Sequence, residues 1–168
     1  SIYGEYGCGQ STIYVSKKFN IPIFSVDSSK PWQKKIKKIS YNKKLHLKYI
    51  NIGNVGPKSM GWPDDFSLKE NFNDYAMEIW KYKLKPNVVL IDGRLRVLCF
   101  LITLRECKIG TKIIFDDYVS RKHYHIVEEL IKPISNDGRQ CLFEVNSKKK
   151  INKKKLNFLI NKFNYVLH

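Results

Sequence analysis

The stretch Ile2-Tyr3-Gly4-Glu5-Tyr6-Gly7-Cys8-Gly9-Gln10-Ser11-Thr12 decides the fold. From Ile2 to Tyr6 it is apolar and aromatic, which reads as a short strand. It then breaks at Gly7-Cys8-Gly9 and resumes as a segment, Ser11 to Phe19, that can form a helix. A glycine turn between strand and helix lets a ligand approach the backbone, with the first helical amides pointing at it. The turn is not the GxxxxGK[ST] phosphate loop, and a dinucleotide fingerprint would place a third glycine where Thr12 stands.

The same alternation continues outward. Ile21 to Val26 is a β-branched run ending at Asp27, followed by Ser28 or Ser29 as an N-cap and Pro31 early in a helix from Trp32 to Ile39. Leu45 to Ile52 reads as a third strand stopping at Gly53, and Gly53 to Phe66, around Met60 and Trp62, as a long ordered loop. A helix is expected from Leu68 to Tyr82. Asn87 to Asp92 is an almost continuously apolar strand of the kind buried on both faces of a parallel sheet. Helical spacing then runs from Arg94 to Cys107, a strand from Lys112 to Phe115 ends at Asp116-Asp117, and Val119 to Ile131 reads as a helix. The turn Asn136-Asp137-Gly138-Arg139 marks an antiparallel hairpin into Cys141 to Val145. Leu156, Leu159, Ile160, Phe163 and Leu167 give the lysine-rich tail an apolar stripe.

These elements predict an α/β fold: a three-layer α/β/α sandwich on a mostly parallel sheet with a terminal antiparallel hairpin. Residues 1–147 form that unit, and residues 148–168 a lysine-rich amphipathic helix packed on it. Ligands of such sheets bind beyond the carboxyl ends of the strands, where strand order reverses. That points to Glu5 to Thr12, Asp27, the loop after Ile52, Asp92, and Asp116 to Tyr118.

Composition narrows the function classes. A chain of 168 residues, 43% hydrophobic and 27% charged, suits one packed domain and excludes a disordered or repetitive one. The longest apolar run, Val97 to Leu104, is far short of a membrane span, and with no export signal the expected location is the cytoplasm. Cys8, Cys99, Cys107 and Cys141 form no CxxC pair, so reduced, buried thiols are expected rather than a zinc site or disulfides. The formal net charge of +16 is concentrated in eight lysines between Lys30 and Lys48 and seven from Lys148 onward. These read as solvated faces or as a polyanion-binding surface, with few of the arginines that bidentate phosphate recognition favours.

Asp27 stands where an acid can hold the two hydroxyls of a ribose, so with the glycine turn it suggests a nucleoside-containing cofactor; helix capping beside Ser28 is the other reading. At this point the chain resembles the class I S-adenosylmethionine-dependent methyltransferases. The resemblance rests on Glu5 to Thr12, Val26-Asp27-Ser28 with Trp32, Val89 to Arg94, and Ile114 to Tyr118, in that order. It covers about Ile2 to Val145, although the family usually carries a helix before its first strand and this chain starts almost on that strand. It implies a Rossmann-like, seven-stranded sheet with the last strand antiparallel. It also implies S-adenosylmethionine as cofactor, held by Glu5, Gly7, Gly9, Ser11, Thr12, Asp27 and Asp92.

Asp92, Asp116 and Asp117, at the ends of adjacent strands, would repel one another unless protonated, hydrogen-bonded or neutralised. Similarity to the metal-dependent O-methyltransferases implies that they ligate Mg²⁺, with Asp92 and Asp116 catalytic; capping by Asp116 or pairing of Asp92 with Arg94 or Arg96 are the alternatives. His123 and His125 are secondary candidates for the base, and Tyr118, Trp62 and Met60 for the acceptor pocket. No [ND]-P-P-[YFW] motif follows the fourth strand, which counts against amine methylation. The expected acceptor is a hydroxylated small molecule or saccharide, with RNA, or cofactor binding without turnover, as the alternatives.

Overall fold

The computed structural model describes residues 1–40, 42–53, 63 and 65–167. Met60 and Trp62, expected to line an acceptor pocket, lie outside the described residues. Seven strands form one sheet: β1 (Tyr3–Tyr6), β2 (Ile23–Asp27), β3 (Leu45–Tyr49), β4 (Val88–Ile91), β5 (Lys112–Phe115), β6 (Ser135–Asp137) and β7 (Gln140–Glu144). Their spatial order is β3-β2-β1-β4-β5-β7-β6, with β1 to β5 mutually parallel and β7 antiparallel to both β5 and β6. Strand order therefore reverses between β1 and β4.

The period of two along each strand divides the sheet into unequal faces. Tyr6, Phe24, Val26, Val89, Ile91, Ile113, Phe115 and Phe143 point into the main core, whereas Tyr3, Ile23 and Leu90 form a small cluster on the opposite face with half-buried Val15, Val88 and Ile114. The main core is closed by α3 (Asn71–Met77), α4 (Arg96–Glu106) and α5 (Lys153–Phe163). The thinner side belongs to α1 (Gln10–Lys18) and α2 (Lys30–Ile39). α4 is buried from Arg96 through Thr103 to Leu104, which explains why its sequence is apolar nearly all round. Leu156, Leu159 and Ile160 bury the apolar stripe of α5 in the same core, and the Asn152 side chain caps the helix by accepting from Lys155 N–H at 3.0 Å.

Three expectations are corrected. The helix foreseen from Leu68 to Tyr82 is α3 plus a 3₁₀ turn, Glu78–Trp80. There Trp80 Nε1 donates to Tyr6 Oη (2.9 Å) and Tyr6 Oη to the Ala76 carbonyl (2.6 Å), tying the turn under β1. The third strand ends at Tyr49 rather than Ile52. The helix foreseen from Val119 to Ile131 is a 3₁₀ helix, Lys122–Glu129. Tyr124, Val127 and Leu130 are all buried at intervals of three, and only three residues per turn stacks that spacing in one row.

All four cysteines are free and buried. Among the described residues, no helix is long and apolar enough to cross a membrane. Phe100, fully buried, lies edge-on to Phe143 at 4.8 Å and tilted against Phe115 at 5.7 Å, so it joins α4 to two strands. Truncation leaves a void that these rigid neighbours cannot fill: Phe100→Ala is expected to lower unfolding free energy by about 3–5 kcal/mol, read from urea denaturation.

Candidate active site

Three of the parallel strands, β1, β4 and β5, each deliver one residue to the same end of the sheet, one hydrogen bond past the last paired residue. Gly7 N–H donates to Val26 O (2.8 Å), Asp92 N–H to Tyr6 O (3.0 Å) and Asp116 N–H to Ile91 O (3.0 Å). Between them opens a cavity of about 680 Å³, lined by the Gly7–Ser11 loop, Asp27, Ser28, Ser29, Trp32, Tyr75, Asp92–Arg94, Arg139 and Gln140. That volume is within the range of small-molecule sites, roughly 300–1,000 Å³.

The floor is a backbone crossing at the strand-order reversal. Gly7 has φ +88°, and a Cβ there would stand 2.7 Å from Gly93 Cα. A Cβ on Gly93 would strike Tyr75 Oη and lie 2.8 Å from Gly7 N. Both positions thus require glycine, for conformation at the first and for space at both. A Cβ on Gly9, by contrast, would meet nothing nearer than Trp32 Nε1 at 4.0 Å, so the loop leaves a cradle open to a ligand.

Glu5 and Thr12 sit beneath this loop. Glu5 is fully buried and accepts hydrogen bonds from Ser11 Oγ, Thr12 Oγ1 (2.5 Å), Ser25 Oγ (3.0 Å) and Tyr3 Oη (3.2 Å). Thr12 Oγ1 in turn accepts from Gly9 N–H at 2.8 Å, carrying the carboxylate's hold to the glycine turn. Burial pushes the Glu5 carboxyl up to about 7, with the four hydroxyls opposing. Asp27 closes the adjacent wall, its Oδ2 accepting from Cys8 N–H (2.8 Å) and its Oδ1 from Ser29 N–H (2.6 Å). Burial raises its pKa as well. It is not the N-cap of α2, a position that Ser29 occupies.

The acids on β4 and β5 converge on arginines. Arg96, 5% exposed, donates to the carbonyls of Gly93 (3.0 Å), Asp116 (2.8 Å) and Asp92 (3.2 Å). It also donates to the Asp92 (3.0 Å) and Asp117 (3.2 Å) carboxylates. Arg139 pairs with Asp116 at 3.0 Å and Asp117 at 3.4 Å, and Arg121 with Asp117 at 2.8 Å; Gln140 Nε2 donates to Asp116 Oδ1 at 2.7 Å. Three guanidiniums thus neutralise three carboxylates. The structure lends no support to the expectation of Mg²⁺ on Asp92, Asp116 and Asp117: each of the three carboxylates stands within ion-pair distance of an arginine, which eases their mutual repulsion without an ion. Among the described residues, no group of three or more His, Cys, Asp or Glu side chains is arranged to hold a metal ion. Asp92 alone of the three lines the cavity. Its carboxyl is pushed up to about 6, chiefly by burial and then by the neighbouring Asp116 charge.

Sequence reasoning missed Tyr75, Arg139 and Gln140, and did not foresee Arg96 as the hub. Arg139-Gln140 follows the hairpin turn, where a polar pair looks like ordinary turn chemistry. His123 and His125 do not line the cavity: His125 stacks on Tyr118 at 4.7 Å and His123 meets Tyr124 edge-on at 4.4 Å. Tyr118 is 1% exposed and packs on Phe115 and Phe143, so it belongs to the core rather than to an acceptor pocket.

No family model and no curated protein matches the chain. Among solved structures it is similar to a methyltransferase-like protein of Silicibacter pomeroyi DSS-3, at 28% identity and a TM-score of 0.80 over 98% of this chain and 87% of that one. The chain has a methyltransferase-like fold. The likeness extends along nearly the whole chain and supports a methyltransferase function.

Glu5 supplies a pH test of this methyltransferase-like loop. Its carboxyl ionises at about 7 in the fold and in the ordinary range when unfolded, so the folded chain binds the proton more tightly. The stability contributed by that proton is full at acid pH and is lost as pH rises through about 7. Thermal melts are expected to show wild type losing stability relative to Glu5→Gln between about pH 5 and about pH 8. Parallel curves would mean that Glu5 is already charged in the fold.

Proposed function

We propose that the chain transfers a methyl group from S-adenosylmethionine to a hydroxyl of a small molecule or of a saccharide unit. The observation that carries this reading is the placement of Asp92. It lines the same cavity as Asp27, beside the Gly7–Gly93 crossing, with a carboxyl pushed up to about 6.

The residues present fit the cofactor. The open cradle at Gly9 and the backbone of Gly7 to Ser11 take its amino-acid end, Asp27 its ribose diol and Trp32 an adjoining flat surface. Glu5 and Thr12 serve by holding the loop from below. When bound, S-adenosylmethionine supplies an electrophilic sulfonium methyl. Asp92 takes the proton of the acceptor hydroxyl: at neutral pH it is mainly carboxylate, yet more basic than an ordinary aspartate. Arg96 fixes Asp92 Oδ1 at 3.0 Å, so the carboxylate is presented in one orientation. Arg139 and Gln140, anchored on Asp116, form the wall against which the acceptor is positioned. No step calls on a divalent ion.

Calorimetric titration with S-adenosylmethionine and S-adenosylhomocysteine is expected to show binding that chelation by EDTA leaves unchanged. Asp27→Ala should weaken it by about tenfold or more, the worth of a charged hydrogen bond. Absence of any heat at millimolar ligand would sink the proposal.

Asp92→Asn is expected to keep cofactor binding while lowering kcat by about 10²–10⁴, the usual contribution of a general base. The wild-type rate should rise with pH through about 6 and then level, as Asp92 loses its proton. A rate in Asp92→Asn equal to wild type on an identified acceptor would remove Asp92 from the mechanism.

A further inference from the structure

We propose that the outer face built by α2 and β3 is a docking surface for a single-stranded nucleic acid, placed at the mouth of the cavity. This goes beyond methyl transfer, because strand binding requires no turnover.

Three observations carry it. The first is uncompensated charge. α2 exposes Lys30, Lys34, Lys35, Lys37 and Lys38 and buries only Gln33 and Ile36. The neighbouring edge strand and its approach add exposed Lys43, Lys44 and Lys48. No acidic residue occurs from Ser28 to Pro63, and among the described residues none of these lysines forms an ion pair. Three lysines elsewhere do find acidic partners: Lys81 pairs with Asp74, Lys132 with Glu128 and Lys155 with Glu129. Helix electrostatics accounts for Lys37 and Lys38 in the last turn but not for Lys30 in the first, where a cation faces the positive end of the dipole.

The second observation is spacing. Lys30, Lys34 and Lys38 recur every four residues, which sets them about 6 Å apart along one side of the helix. A row of ammonium groups of this kind can track a phosphodiester backbone as point charges.

The third is aromatic interleaving at the end of the row nearest the cavity. Trp32, 37% exposed, lines the cavity with Lys35 Nζ 4.7 Å from its ring centre. Tyr49, paired in register with Asp27, has Lys30 Nζ 5.8 Å from its ring centre. An exposed ring beside a cation, here Trp32 together with half-buried Tyr49, is what unstacked bases pack on, and it favours a nucleic acid over a sulfated or uronic saccharide chain. The row leads directly into the cavity, so on the methyl-transfer reading the strand's own sugar hydroxyls become acceptors to assay.

The test is fluorescence anisotropy of labelled oligo(U) and oligo(dT) 20-mers, with low-molecular-weight heparin as the saccharide polyanion. The full chain is expected to bind the oligonucleotides and, for about four phosphate contacts, to lose roughly 50-fold in affinity between 50 and 200 mM salt. Lys34→Glu/Lys37→Glu/Lys38→Glu should weaken binding at least tenfold and flatten the salt slope. Lys149→Glu/Lys153→Glu/Lys154→Glu, which alters the other lysine cluster equally in charge, should stay within about twofold of wild type. Trp32→Leu should weaken oligonucleotides about five- to 150-fold, the worth of a stacked base, and leave heparin unchanged. A preference for oligo(U) identifies RNA as the source, and equal binding of oligo(dT) a sugar-indifferent surface; either supports the proposal. Equal losses from both lysine variants, no binding at 50 mM salt, or heparin binding as tightly with the same response to Trp32→Leu would overturn it. Titration of S-adenosylmethionine into the two lysine variants separates this failure from failure of the methyl-transfer reading, since α2's outer lysines do not line the cavity.

Discussion

Arg96 is the constraint on which the site depends. A guanidinium 5% exposed at the first turn of α4 is unfavourable twice over, through its desolvation and through its position at the positive end of the helix dipole. What offsets both is a full set of acceptors: three backbone carbonyls and two carboxylates, drawn from the ends of β4 and β5. The geometry runs in both directions. The acids keep the arginine buried, and the arginine holds the two strand ends at a fixed spacing and aims Asp92 into the cavity. Leu95 and Asp117, on either side of this contact, both have φ +56°, a left-handed conformation uncommon for such residues. Backbone in that state persists where surrounding contacts over-determine it, and the Arg96 network supplies those contacts.

A second buried charge does for the glycine loop what Arg96 does for the acids. Glu5 gathers hydroxyls from β1, β2 and α1, and Thr12 relays that hold to Gly9 N–H. Asp27 fastens the loop from its other side through Cys8 N–H. The loop is therefore pinned by side chains at both flanks, while the absent side chain of Gly9 leaves open space at its surface. This is the arrangement a cofactor site requires: the atoms that meet the ligand are rigid before it arrives, so little ordering entropy is lost on binding.

Legibility in the sequence followed the range of the interactions. The strands of the sheet and its hairpin were readable because each strand announces itself by local pattern: Val88–Ile91 by continuous apolarity, Gln140–Glu144 by the turn before it. The positions at strand ends were readable for the same reason, so Asp27, Asp92 and Gly7 fell where expected. Only the local partner was readable: Arg96, four residues from Asp92, stood among its candidate partners, whereas Arg96, Arg121 and Arg139 reach Asp117 from three different segments. Three clustered aspartates with unseen partners look like a metal site. With their partners in view, they are a neutral ion-pair cage. The 3₁₀ helix at Lys122–Glu129 failed differently: the three-residue spacing of Tyr124, Val127 and Leu130 was present in the sequence, but it is close enough to the α-helical period to be read as one.

The distribution of charge separates two tasks that one site would otherwise have to combine. Inside the cavity wall, carboxylates and guanidiniums cancel, so the interior offers oriented dipoles and one tuned base rather than a strong field. Such an interior can discriminate by shape and hydrogen bonding without drawing in every anion. The uncompensated charge lies outside, on α2 and β3, where water screens it and where it acts on the approach of a partner rather than on the chemistry. Trp32 belongs to both regions, exposed beside Lys35 and facing the cavity, with its indole N–H fixed on the Cys8 carbonyl of the glycine loop. A ligand stacked on that ring therefore touches, through one side chain, the same loop that Glu5 and Asp27 hold rigid. The outer surface and the inner site are in this way joined through one hydrogen-bonded side chain rather than by proximity alone.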